Sequence, residues 1–229
     1  MWWRMSRSLT TQSKAVNGRF CSTYEYEGEQ FDVCDSARNA MLVNELFADA
    51  ELTEEDKQQL LPAMLFPDLA AAVEKAGRER FWDMVDSVLW DAMGVDLYGT
   101  RGAAGSEEPV FDWDEDAGRI RASLLQAYGV NWDEVAGSMS YGAFLDLVAG
   151  LMESGETPLQ QAIYYRTAKC PKETKDNREY VEAFRARARH FALRGERPEG
   201  DRMAAANNAM ASAFASEFAA AGRAVSADE

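Results

Sequence analysis

The spacing of apolar side chains changes period early in the chain, and that change sets the fold class. Between Thr23 and Val33 they alternate: Tyr24 and Tyr26 flank Glu25, Phe31 and Val33 flank Asp32, and Glu27-Gly28 stands between. Period two on either side of a glycine-containing turn predicts a β-hairpin. A lone hairpin must lean on helices to be stable. From Ser36 onward the spacing is helical. Met41, Leu42, Leu46 and Phe47 form one stripe within 36–50. Thr53-Glu54-Glu55-Asp56 reads as a helix start, a hydroxyl cap followed by acids at the positive end of the helix dipole. Pro62 and Pro67 are expected to break this region into short helices. Arg78 to Met93 carries Phe81, Trp82, Val85, Val88, Leu89 and Met93 on a wide apolar face, with Gly94 as the stop.

The second half is helical throughout in this reading. A helix capped by Asp112 or Asp114 presents Trp113, Ala117, Ile120, Leu124, Ala127 and Tyr128, and Gly129 ends it. Ser140 to Met152 is expected to bury Tyr141, Phe144, Leu145, Val148, Leu151 and Met152. Thr157-Pro158 is a cap with proline at the first helical position, leading into Leu159, Ala162 and Ile163. Glu173 to Leu193 turns Tyr180, Val181, Phe184, Ala188 and Phe191 inward, with the arginines 178, 185, 187, 189 and 194 on its other faces. The fold class is therefore mainly α, a helical bundle with a small N-terminal β-hairpin.

Glycine-rich and polar stretches divide the chain. Residues 1–18 read as a flexible leader, 19–97 as hairpin plus helices, 98–109 as a linker and 110–193 as a C-terminal helical lobe. Residues 194–229 read as a linker, an alanine-rich helix over 203–221 and a frayed end. No apolar run approaches the ~20 residues needed to span a bilayer, so no membrane partner is expected.

Composition narrows the function. The chain carries 39 acidic against 24 basic side chains, a net charge of −15. Phosphate-backbone binding needs the opposite balance, so nucleic acid is not an expected partner. The three cysteines, Cys21, Cys34 and Cys170, are odd in number and contain no CxxC pair; they read as reduced thiols of a cytosolic protein. The single histidine, His190, has no cysteine near it in sequence, which argues against a catalytic triad or a histidine-rich metal centre. Asp112, Asp114 and Asp116 begin like a calcium loop. The match fails at Ala117, where glycine is needed, and at Ser123, where a bidentate Glu is needed. Dipole-stabilised acids at a helix start account for them better. Phosphate-loop, dinucleotide, nucleophile-elbow and zinc-protease motifs do not occur. The expectation is a protein without catalytic, cofactor or metal residues.

The segment Val110-Phe111-Asp112-Trp113-Asp114-Glu115-Asp116, with Ile120 and Ala122 to Val130 after it, resembles the hallmark of the bacteriophage gene-product-fifteen proteins. The order continues through Phe144-Leu145, Leu151, an I-x-x-R turn at Ile163-Tyr164-Tyr165-Arg166, Tyr180 and Phe191-Ala192-Leu193. Upstream, the hairpin at 23–33 and Leu52 to Lys57 resemble the family's first half, so the likeness covers roughly 23–193. It implies a non-catalytic tail assembly chaperone in the host bacterial cytoplasm, absent from the mature virion. Its partners would be the tape measure protein and tail tube subunits, with self-association besides. Contact residues under this reading are Trp113, Tyr128, Trp132, Tyr141, Tyr165 and Arg166, with Met203, Met210, Phe214 and Phe218 on the alanine-rich helix, where methionine adapts to a groove. Two other readings compete: a minor tail protein retained in the virion, and an acidic DNA mimic that blocks a host protein.

Overall fold

The computed structural model describes residues 12–99, 110–153 and 156–193. Three strands and nine helices occur among them. The strands β1 (Ser13–Val16), β2 (Arg19–Tyr26) and β3 (Glu29–Val33) form an antiparallel sheet in chain order. Both connections are two-residue turns: Asn17 and Gly18 have φ of 50° and 75°, Glu27 and Gly28 of 50° and 82°. Positive φ at both central residues matches the right-handed twist of paired strands, which is why the register Val16↔Arg19 and Tyr26↔Glu29 closes so tightly. The sheet has one strand more than the expected hairpin. β1 occupies residues that read as part of a leader, and it is an edge strand whose side chains are largely exposed.

Four helices occupy the rest of the first half: α1 (Ala37–Ala48), α2 (Glu54–Leu65), α3 (Leu69–Ala76) and α4 (Phe81–Met93). Each of the first three starts on a side chain that satisfies orphan backbone donors. The Ser36 hydroxyl accepts from the Asn39 N–H, and Asp68 accepts from the Ala71 N–H. At Thr53 the exchange is reciprocal with Asp56, a capping box. Pro62 does not break α2 as expected. The helix runs one turn past it to Leu65, and its carbonyl still accepts from the Phe66 N–H at 2.9 Å. In α1 the inward positions are Ala37, Ala40, Val43, Asn44 and Leu46, so Leu42, expected in the stripe, faces solvent.

The remaining helices are α5 (Ala117–Tyr128), α6 (Trp132–Val135), α7 (Tyr141–Glu153), α8 (Pro158–Thr167) and α9 (Arg178–Phe191). Gly94 and Gly129 end α4 and α5 in the left-handed conformation, as expected. All six expected inward residues of α7 are buried. α9 begins at Arg178 rather than near Glu173. The Asn177 side chain explains the delay: it accepts from the Thr174 N–H and donates to the Lys172 carbonyl, holding 172–177 in a turn.

The described residues form two compact units. The first comprises 12–99 with 132–147, and the second 110–131 with 148–153 and 156–193. Residues 132–147, read from sequence as part of the C-terminal lobe, thus group with the N-terminal half. Backbone bonds hold them there: the Ala37 N–H donates to the Met139 carbonyl, Arg38 N–H to Ala136, and Tyr141 N–H to Asp35. Among the first unit's buried side chains are Val33, Val43, Leu61, Leu65, Met84, Leu89, Met93, Tyr141 and Phe144. The second is built on Leu124, Val148, Leu151, Leu159, Ala162, Val181 and Phe184. From residue 100 the expected linker, and all of the expected helix at 203–221, lie outside the described residues.

Candidate functional site

The hallmark segment folds into a turn organised by its aspartates. Asp112 Oδ1 accepts from the N–H groups of Asp114 and Glu115, both at 2.8 Å. This brings Asp116 to the N-terminus of α5 with its side chain turned inward, 0 % exposed. A buried carboxylate needs compensation for lost hydration. Here it receives four hydrogen bonds, as many as its lone pairs can take. Arg166 Nη1 donates to Oδ2 at 2.6 Å and Nη2 to Oδ1 at 2.9 Å. Arg119 Nη1 donates to Oδ1 at 2.6 Å, and the Asp112 N–H to Oδ2 at 3.0 Å.

Arg166 comes from the last turn of α8, so the I-x-x-R segment is helical. The guanidinium is itself nearly saturated. Besides the two-pronged contact with Asp116, Nη1 donates to the Val110 carbonyl at 2.9 Å and Nε to the Phe191 carbonyl at the end of α9. One ion pair therefore ties together the 110–116 turn, α5, α8 and the C-terminal end of α9. Burial works to raise the pKa of Asp116. The bond from Arg166, the Asp112 N–H, the charge on Arg166 and the bond from Arg119 outweigh it and hold the carboxyl below its ordinary value. Ser123 adds a second tie: its hydroxyl donates to the Arg119 carbonyl at 2.7 Å and accepts from the Leu159 N–H, an orphan donor of the first turn of α8, at 3.0 Å. The expected helix cap at Asp112 or Asp114 is corrected accordingly: α5 begins at Ala117, with Asp116 at its N-cap. Asp116 makes no capping bond to α5 and serves the ion pair instead.

Around this clamp lies a run of aromatic rings with arginines against them. Tyr165 stacks on Phe191, centroids 5.6 Å apart and 9° between planes, and meets Phe184 at 5.3 Å. Tyr164 meets Phe184 edge-on at 6.3 Å. Arg187 donates to the Tyr165 hydroxyl at 2.7 Å, and the Arg119 guanidinium lies 5.2 Å from the Phe191 centroid. Tyr164 and Tyr180 are 43 % and 59 % exposed, and Leu125 and Tyr128 on α5 are also exposed. Part of the arginine-rich outer face of α9 is charge-paired: Arg178 reaches Glu182 at 3.2 Å, and Arg185 reaches Glu173 at 3.0 Å.

The residues singled out from sequence do not converge on one surface. Trp113 is buried and meets Phe111 edge-on at 4.8 Å. Tyr141 is fully buried, which pushes its phenol pKa up. Both are core side chains in this conformation, out of reach of a partner. Arg166 is consumed by the clamp. Trp132 is half-buried with its ring 4.8 Å from that of Phe144. Tyr128 is exposed at the end of α5, and Tyr165 is half-buried in the aromatic run. Met203, Met210, Phe214 and Phe218 lie outside the described residues. Spacing does not single out Arg119 or Tyr164, and it gives Asp116 no ion-pair role, because each acquires its role from partners distant in sequence or from exposure.

Among the described residues no His, Cys, Asp and Glu side chains cluster in a way that could hold a metal ion. No helix there is long and apolar enough to cross a membrane. His190 is exposed at the end of α9, its ring against Phe191. Comparison with curated proteins and with solved structures gave no match. The family model of the bacteriophage Gp15 protein matches residues 16–191, which takes in β2, β3 and the clamp. The chain belongs to the bacteriophage Gp15 protein family.

Proposed function

We propose that the protein is a tail assembly chaperone. It binds the tape measure protein, tail tube subunits or both during tail morphogenesis, without catalysis, and is absent from the finished particle. The observation that carries this reading is family membership over residues 16–191. The surface of the second unit supports it: Tyr164 and Tyr180 stand exposed, Arg187 is bonded to the neighbouring Tyr165 hydroxyl, and Tyr and Arg are the residue types that anchor protein interfaces. A net charge of −15 suits a protein that must stay dispersed while holding an aggregation-prone client. The place of action is the host cytoplasm.

The test is co-expression with the long helical protein encoded downstream, then size-exclusion chromatography with light scattering. A soluble complex of several copies with a client that precipitates alone supports the proposal. A client equally soluble by itself, eluting separately, removes it. Mass spectrometry of purified virions then separates a chaperone, which should be missing, from a retained tail component.

A further inference from the structure

The β2·β3 register pairs Ser22 with Val33, Thr23 with Asp32 and Tyr24 with Phe31. One step further places Cys21 opposite Cys34. The Cys34 N–H does not enter the ladder; it donates to the Leu65 carbonyl at 2.7 Å. Cys21 and Cys34 are thus a non-hydrogen-bonded cross-strand pair, the kind with the closer Cα spacing, about 4.5 Å. That spacing lies inside the range a disulfide accepts. The two sulfurs are 3.1 Å apart, and both residues are buried, at 0 % and 2 % exposure. Cys170 is exposed and elsewhere in the chain.

We propose that Cys21 and Cys34 are a reversible dithiol–disulfide site, closed by exchange with a small disulfide of the glutathione class. The Cys21 thiolate attacks one sulfur of the oxidised glutathione, forming a mixed disulfide and releasing one glutathione thiolate. Cys34 then attacks the Cys21 sulfur and releases the second. The two cysteines lose two electrons, the oxidant gains them, and the two thiol protons end on the two glutathiones. Burial raises both thiols, Cys34 to about 12. The folded dithiol is therefore a slow nucleophile and persists in a reducing cytosol. Closure becomes accessible when β2 and β3 open or while the chain folds. The bond fastens the end of the sheet beside Asp35, whose carboxylate accepts from the Ser22 and Tyr24 hydroxyls at 2.8 and 2.9 Å.

The experiment uses the full chain with Cys170→Ser, refolded from urea in mixed oxidised and reduced glutathione so that burial cannot block access. The refolded protein is alkylated after denaturation, weighed intact and mapped by peptide. The expected product has lost two hydrogens, carries no glutathione, links the Cys21 and Cys34 peptides and melts above the reduced form. Reductant reverses all of this. Two alkylated thiols, or a glutathione adduct that never resolves, would overturn the proposal. Cys34→Ser in the same background should trap the Cys21 adduct. If that variant does not fold, the mapped product of the Cys170→Ser chain decides alone.

Discussion

Arg166→Ala is the most informative single change. It removes four donated bonds, leaves Asp116 as a buried carboxylate facing only Arg119 and the Asp112 N–H, and orphans the carbonyls of Val110 and Phe191. Removing one partner of a buried ion pair costs about 3–5 kcal/mol. This pair qualifies, with side-chain exposures of 8 % and 0 %. At this chain length a loss of 1 kcal/mol lowers the melting midpoint by about 2–4 °C. The midpoint of Arg166→Ala should therefore fall by roughly 6–20 °C. Asp116→Asn should cost less, about 2–4 kcal/mol, because Arg166 keeps its two carbonyl acceptors. In the double variant Asp116→Asn with Arg166→Ala neither charge of the pair is stranded; the Val110 and Phe191 carbonyls lose their donor, and Arg119 faces a neutral amide. Urea titrations monitored by far-UV circular dichroism, run on the two singles and the double, should give a coupling of about 2 kcal/mol. A loss under about 1 kcal/mol for Arg166→Ala, or single effects that simply add, would refute the view that this pair is buried and coupled.

Particular contacts give three further expected outcomes. The Asp116 carboxyl is held below its ordinary value, so the stability it contributes is complete above that value and is lost as pH falls through the folded one. The stability gap between wild type and Asp116→Asn should narrow below about pH 4 in thermal melts, and a constant gap would contradict this. A Cβ at Gly150 would lie 2.5 Å from the Tyr128 hydroxyl and 3.6 Å from the ring carbon that bears it. In a Tyr128→Phe background, Gly150→Ala should thus stabilise the chain by roughly 0.5–1 kcal/mol through helix propensity, a gain that the wild-type hydroxyl should erode. Gly18, at φ 75° in the β1–β2 turn, has open space around it. Gly18→Ala should still cost about 1–2 kcal/mol in chemical denaturation, because the strain lies in the backbone and not in a clash.

The helices are legible in sequence where one face is apolar and the ends carry their own signals. Ser140 to Met152 is the clearest instance: every inward residue can be named because the stripe is wide and uninterrupted. Thr157-Pro158 and the stops at Gly94 and Gly129 are likewise local. The strand β1 has a local signal too, since Asn17-Gly18 is the strongest short hairpin signal a sequence offers. The polar residues around it obscure that signal. Pro62 misleads because α2 continues past it to Leu65, with the Pro62 carbonyl accepting from the Phe66 N–H, and spacing does not reveal that the turn persists. Residues 132–147 cannot be assigned to the first unit from sequence. What holds them is a set of backbone bonds to residues 35–38, and backbone bonds carry no side-chain signature.

The same distinction between local and distant partners bears on where function resides. The residues that make the chain recognisable are spent mostly on its interior. Phe111, Trp113, Asp116, Ile120 and Leu124 are buried, and Arg166 is nearly saturated by Asp116 and two carbonyls. Side chains used in this way specify a scaffold: they fix where α5, α8 and α9 meet. What a partner can touch is decided by the side chains the scaffold leaves outside, Leu125, Tyr128, Tyr164 and Tyr180 among them, all exposed. Tyr164 rests on the packed ring of Phe184, so it is presented by a rigid base and loses little freedom on contact, and Tyr180 lies one helical turn before Phe184 on α9. If the protein is the chaperone proposed above, changing these two tyrosines to alanine should weaken client binding while leaving the melting midpoint nearly in place, whereas Arg166→Ala should lower the midpoint first and binding only as a consequence. Measured side by side on the co-expressed complex, the two kinds of variant separate recognition from folding, and a Tyr164→Ala, Tyr180→Ala chain that still holds its client at full strength would move the interface off α8 and α9.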